Sequence, residues 1–123
     1  MGENPRRLQV VVTTGPKDPT RARFALEAAL AAVASGLGVT VFLTLDATVW
    51  ACESRRYVCG ETVYGLMDQL ASMGASVVCC SACALDKCGT QGEAKIATAP
   101  GIELVGLATL MEQVASGVPT VTF

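Results

Sequence analysis

Gly74-Ala75-Ser76-Val77-Val78-Cys79-Cys80-Ser81-Ala82-Cys83 decides how this chain of 123 residues is read. An apolar, partly β-branched strand over 76–80 runs straight into thiols, and four of the six cysteines fall between Cys79 and Cys88. In α/β sheets, ligands and reactive groups gather where strands end. Successive strand residues face opposite sides of a sheet, so Cys79 and Cys80 point apart. Cys79 reads either as a small core hydrophobe or as a partner thiol, whereas Cys80 turns toward the segment that follows. A helical turn beginning at Ser81 or Ala82 would set free backbone N–H groups beside Cys80, and Lys87 lies one or two turns on. Both features favour a negatively charged sulfur.

Outward from that step, strands and helices alternate. Residues 8–13 form a β-branched run ending at Gly15-Pro16, and 39–43 form a second strand apolar enough to be buried on both faces. Between them, Phe24, Ala25, Ala28, Ala29, Ala32 and Val33 recur at helical spacing and predict a helix over 21–35, stopped by Gly36 and Gly38. Val63, Leu66, Met67 and Leu70 predict another over 62–73. A short strand at 102–105, a helix from near Thr109 to Gly117, and a closing strand at 119–123 complete the pattern. Residues 44–60 show no clean period, and a stretch that long reads as a functional or mobile loop. Residues 89–100 read as loose. Repeated βα units with short connections predict one domain over 1–123, built on a parallel or mostly parallel sheet between helix layers.

Composition narrows the function. Hydrophobic residues make up 51% of the chain and charged residues only 16%, a surplus of apolar surface that points to self-association. No apolar run is long enough for a membrane span. Net charge is −2, and no basic stripe alternates with aromatics, so nucleic acid is a poor partner. The N-terminal residues lack the pattern of a signal peptide, which predicts a cytoplasmic protein with reduced thiols. Six cysteines there read as redox, metal or sulfur chemistry rather than as structural disulfides.

The chain has no histidine. That removes Cys-His and Ser-His catalysis, so a cysteine must work without an imidazole base. Cys80 and Cys83 form a CxxC pair that suits thiol exchange, with one sulfur attacking and the other resolving. It equally suits two ligands of a zinc ion, completed by Cys88 and a loop cysteine, although Cys52 and Cys59 are too widely spaced for a knuckle. Gly15-Pro16-Lys17-Asp18-Pro19-Thr20 is a turn and helix start without the pattern of a phosphate loop, so no nucleotide, flavin or other cofactor is expected. Arg55 and Arg56 read as solvated charge or as a lure for an anionic sulfur donor or an acidic partner surface.

Thr14-Gly15-Pro16, the stretch 28–41, the Val77-to-Cys83 step, the run 101–110 and the closing Val121-Thr122-Phe123 together resemble the DsrE/DsrF-like family of small sulfur carriers. The resemblance implies a three-layer α/β/α sandwich with a mainly parallel five-stranded sheet, assembled as homotrimers or hexamers. It implies a sulfurtransferase or carrier that holds sulfane sulfur as a cysteine persulfide. The partners implied are TusA-like carriers or other sulfurtransferases. By position the family's active cysteine falls on Cys80, with Cys79 or Cys83 as relay. Cys79, Cys80 and Cys83 are therefore the expected site residues, and the reading requires Cys80 to be reachable from solvent or from a neighbouring subunit. The alternatives are a cysteine-only zinc-binding or redox-sensing module, or a subunit whose partner carries the active cysteine.

Overall fold

The computed structural model describes residues 6–91 and 95–123. The chain start and residues 92–94 of the loose segment lie outside it. Five runs of β-branched and apolar residues become strands: β1 (Arg7–Val12), β2 (Gly38–Leu43), β3 (Ser76–Cys80), β6 (Glu103–Val105) and β7 (Thr120–Thr122). They form one sheet in the order β6-β3-β2-β1-β7, every pair parallel, with Val10 opposite Val41 and Leu43 opposite Cys79. The expected mainly parallel five-stranded sheet is thus entirely parallel.

One face is closed by α1 (Pro19–Ala34) and α2 (Glu61–Ser72). The side chain of Asp18 caps α1 by accepting from the Arg21 N–H at 3.1 Å, and Pro19 occupies its first turn, where a missing N–H costs nothing. Ala22, Ala25, Leu26 and Ala29 face Val10, Val12, Val41 and Leu43, while Val63, Met67 and Leu70 of α2 join the same core. Small alanines let α1 sit close to the sheet. The other face carries only Val11, Phe42, Val78 and Cys80 as buried apolar residues, with Leu110 of α4 (Leu107–Ala115) packed on them. No residue of α4 is buried, and Leu107, Met111 and Val114 stand in solvent. No described helix is long and apolar enough to cross a membrane.

Residues 44–60, expected as a functional or mobile loop, are instead largely packed structure. Leu45–Ala51 and Val58–Gly60 are 3-10 helices, which have three residues per turn and so escape a search for a 3.6-residue period. Trp50 anchors the first: it is fully buried, donates its indole N–H to the Thr14 carbonyl at 2.8 Å, and meets the rings of Tyr57 and Tyr64 edge-on. Gly60 is required there because the Trp50 ring fills the space a Cβ would take. Residues 89–100 are also more ordered than expected. β4 (Thr90–Gln91) and β5 (Lys95–Ile96) pair antiparallel, and the Ala99 N–H donates to the Ala51 carbonyl at 2.8 Å.

Candidate functional site

β3 delivers its last two residues to opposite faces, as the alternation predicts. Cys79 lies in the core under α1 and α2, fully buried. Burial, reinforced by repulsion from the neighbouring Cys80 and eased by the Thr48 hydroxyl, pushes its thiol up to about 12. Cys79 is therefore a neutral thiol near neutral pH.

Cys80 lies on the opposite side among Val11, Phe42 and Val78, and only 3% of its surface is exposed. It occupies the N-cap position of α3 (Ser81–Cys88), but its side chain makes no cap hydrogen bond. Cys83, one turn on, packs beside it and is half-exposed. The geometry thus separates what the sequence joined: the thiol reachable from solvent is Cys83, with Cys80 behind it. The helix carries residue i+3 outward past the strand end, whereas the strand residue itself stays under α4.

Lys87 also departs from expectation. Seven residues along a helix is about 10 Å of rise, which carries Lys87 away from Cys80 to an ion pair with Asp46 at 3.7 Å. What favours charge at Cys83 is a set of neutral donors instead. Burial alone would raise its thiol; the Leu45 backbone N–H, the Thr44 hydroxyl, the Cys80 thiol and the Thr48 hydroxyl outweigh burial and hold it below the ordinary thiol range. Thr44 Oγ1 lies 3.7 Å from Cys83 Sγ. Leu45 adopts φ of 52°, a left-handed conformation that costs a branched residue about 1–2 kcal/mol. The twist occurs where β2 ends, in the residue whose N–H faces Cys83. The Thr48 hydroxyl is fully buried and has no hydrogen-bond partner among the described residues, although it lies close enough to Cys79 and Cys83 to influence both.

Thr44, Leu45 and Thr48 were missed in the sequence. A usable signal existed: two threonines four apart, directly after a strand that pairs with the cysteine-bearing strand.

Cys88 is bonded to Cys52 in a disulfide that closes 36 residues. This overturns the expectation that the cysteines are not used as structural disulfides. The reason is tertiary: the end of α3 and the end of the 3-10 helix Leu45–Ala51 come together, with the two Cα atoms 5.1 Å apart. The zinc arrangement that needs Cys88 loses a ligand, and among the described residues no three His, Cys, Asp or Glu side chains are grouped to hold a metal ion. Cys59 is free and exposed.

The two arginines part company. Arg55 is held by Asp68 through two hydrogen bonds of 2.8 and 2.7 Å and stacks over Tyr64. Arg56 lies over the Tyr57 ring and, with Lys87 and the disulfide, borders a small cavity. A larger cavity of about 490 Å³ lies at the far end of the sheet, bordered by Arg6, Arg7, Leu37 and Pro119, and presents no thiol.

Comparison with known proteins places this geometry in a lineage. No curated protein matches the chain in sequence. The fold is shared with the ychN protein of E. coli, at 21% identity and a TM-score of 0.78 over 96% of this chain and 99% of that one. It is also shared with MTH1491 of Methanobacterium thermoautotrophicum, a protein of unknown function, at 14% identity and a TM-score of 0.73 over 98% and 100%. BT1422 of Bacteroides thetaiotaomicron, also of unknown function, matches at 16% identity and a TM-score of 0.63 over 95% and 94%. The sequence model of the DsrE/DsrF-like family matches residues 6–123, so the chain belongs to the DsrE/DsrF-like family.

Proposed function

We propose that this protein is a cytoplasmic sulfur carrier in which Cys83 takes up sulfane sulfur as a persulfide and Cys80 stands behind it as the second thiol. The observation that carries this reading is the Cys83 sulfur, half-exposed at the end of the sheet, with Thr44 Oγ1 at 3.7 Å and Cys80 packed beside it. A thiolate attacks the outer sulfur of a persulfide donor; the donor's inner sulfur leaves as a thiolate, and Cys83 keeps the transferred atom. Neutral hydrogen-bond donors accommodate negative charge at Cys83 before the attack and at the terminal sulfur afterwards. Release follows the same chemistry: a partner's thiolate takes the outer sulfur, or Cys80 attacks Cys83 and expels hydrosulfide as a disulfide forms. The family points to TusA-like carriers or other sulfurtransferases as partners. The exposed Leu107, Met111 and Val114 on α4, with Leu85 exposed on α3, support assembly into a homotrimer or hexamer.

Mass spectrometry tests the proposal. The reduced protein is exposed to polysulfide and cut with trypsin, which isolates residues 57–87 from Cys52 and Cys88. One added sulfur atom is expected on that peptide, retained in Cys79→Ser and lost in Cys83→Ser. No added sulfur, or loss only in Cys79→Ser, overturns the assignment.

A further inference from the structure

The Cys52–Cys88 disulfide lies in the wall of a cavity of about 40 Å³ bordered also by Val49, Arg56, Tyr57 and Lys87. That volume admits an ion little larger than a water molecule. Val49, Tyr57 and Lys87 are at the same time walls of an adjoining cleft of about 400 Å³, whose other rim carries Lys17, Gly15, Pro16 and Asp46. Among the described residues that line them, three cations, Lys17, Arg56 and Lys87, face the two spaces against one carboxylate, Asp46, which already pairs with Lys87 at 3.7 Å. Arg56 is fixed in place: its guanidinium lies 5.1 Å from the Tyr57 ring centre and donates to the Tyr57 hydroxyl at 2.9 Å. Of the two bonded sulfurs, Cys88 belongs to the half-buried residue, while Cys52 is 7% exposed. A disulfide buried for stability alone needs neither an opening nor a cationic rim.

We propose that this disulfide is a second reactive sulfur centre, which takes an anionic sulfur nucleophile from the cationic cleft and is attacked at Cys88. With hydrosulfide, the incoming sulfur bonds to Cys88 Sγ, the bond between the two cysteines breaks, and Cys52 leaves as a thiolate. The proton of the acidic persulfide passes to Cys52, leaving a Cys88 persulfide anion and a Cys52 thiol. The disulfide is the oxidant: hydrosulfide sulfur is raised to the sulfane level while Cys52 is reduced to a thiol, so no other oxidant enters the step. With an organic thiolate such as glutathione, the same attack leaves a mixed disulfide on Cys88. The inner cavity suits hydrosulfide, and the outer cleft accommodates the body of a larger anionic thiol. The centre uses none of the residues assigned to sulfur carriage, so it stands whether or not Cys83 carries sulfur.

The experiment uses the full chain in its disulfide form, without oxygen, treated separately with sodium hydrosulfide, glutathione and the cationic thiol cysteamine. Free thiols are then capped with iodoacetamide and the protein is cut with trypsin. Cleavage after Lys87 separates Cys88, in residues 88–95, from the other thiols, while Cys52 falls in 24–55. Hydrosulfide is expected to leave one extra sulfur on 88–95 and a newly capped thiol on 24–55; glutathione leaves its own mass on 88–95. In a Lys17→Glu/Arg56→Glu variant, both anionic reagents slow about tenfold and cysteamine does not. A Cys80→Ser/Cys83→Ser variant keeps the Cys88 adducts, which separates this outcome from failure of the carrier reading. The proposal is overturned if no bond joins residues 52 and 88 in the purified protein, if adducts form on Cys52, or if rates ignore reagent charge.

Discussion

Thr44→Val keeps the shape of a side chain that is 8% exposed and removes one hydroxyl, the one lying 3.7 Å from Cys83 Sγ. A hydrogen bond to a charged group contributes about 1.5–3 kcal/mol, and the long contact justifies the lower figure. Since about 1.4 kcal/mol is a factor of ten, the thiolate form of Cys83 becomes about tenfold rarer at any pH below its titration. A more basic thiolate is a better nucleophile, and a Brønsted slope near one half returns about threefold of that loss. Alkylation of Cys83 by iodoacetamide at neutral pH should therefore slow about threefold, and the pH of half-maximal rate should rise. The rate above the titration should increase, because full ionisation leaves only the nucleophilicity gain. Stopped alkylation, read on the peptide spanning residues 57–87 with Cys59, Cys79 and Cys80 replaced by serine or alanine, measures each quantity. A profile that keeps its midpoint, or a uniform slowing at all pH values, would refute neutral donors as the source of Cys83 acidity.

Two further outcomes follow from the same geometry. Thr48→Val removes a buried hydroxyl without a partner among the described residues, so the protein should gain about 1 kcal/mol in urea unfolding while Cys83 alkylation slows; a variant that is both less stable and equally reactive would show the hydroxyl to be structural. Cys79→Ala bears on pH. The Cys79 thiol is held neutral up to about 12 in the fold, whereas an unfolded cysteine ionises near about 8.5. The unfolded chain therefore sheds the proton first, and stability is intact below about 8.5 and declines as pH rises toward the folded value. Cys79→Ala should flatten that alkaline decline relative to wild type in urea titrations at several pH values, even though its midpoint stability at neutral pH is lower; an unchanged slope would contradict the buried-thiol reading.

The parallel sheet was legible because its evidence is local. Val10, Val11 and Val12, or Val39, Val41 and Phe42, announce strands within a few residues, and Gly36, Gly74 and Gly117 mark turns with positive φ after helices. The two faces of Cys79 and Cys80 were legible for the same reason, since the period of two is a property of the strand alone. Which thiol meets solvent was not. That depends on Leu110 of α4 packing on the cluster that holds Cys80 and on α3 lifting Cys83 clear, and neither placement is written in the residues around 79–83. The disulfide was illegible in a stronger sense: Cys52 and Cys88 are brought together by Trp50, whose indole reaches the Thr14 carbonyl and seats the 3-10 helix beneath α3. A tertiary anchor of that kind leaves no periodic trace.

A chain without histidine has two ways to keep a sulfur anionic: place a cation beside it, or surround it with neutral dipoles. Both were expected at Cys80, helix-start N–H groups with Lys87 as an added cation, and the fold turns Lys87 toward Asp46 instead. The difference has consequences. A charge held by a cation is weakened by salt, whereas hydroxyl and amide donors at contact distance are fixed by the backbone and little affected by ionic strength. Donors of this kind also suit the proposed loading, in which the charge moves from Cys83 to an outer sulfur at a neighbouring position. A lysine at contact range would bind either anion tightly and slow its release, since opposite charges a few ångströms apart attract far more strongly in a half-buried site than in water. The cations are kept for the neighbouring spaces: Arg56 and Lys87 border the disulfide, and Lys17 lines the adjoining cleft. On the two proposals, charge attracts sulfur anions at one end of α3, and dipoles hold one at the other.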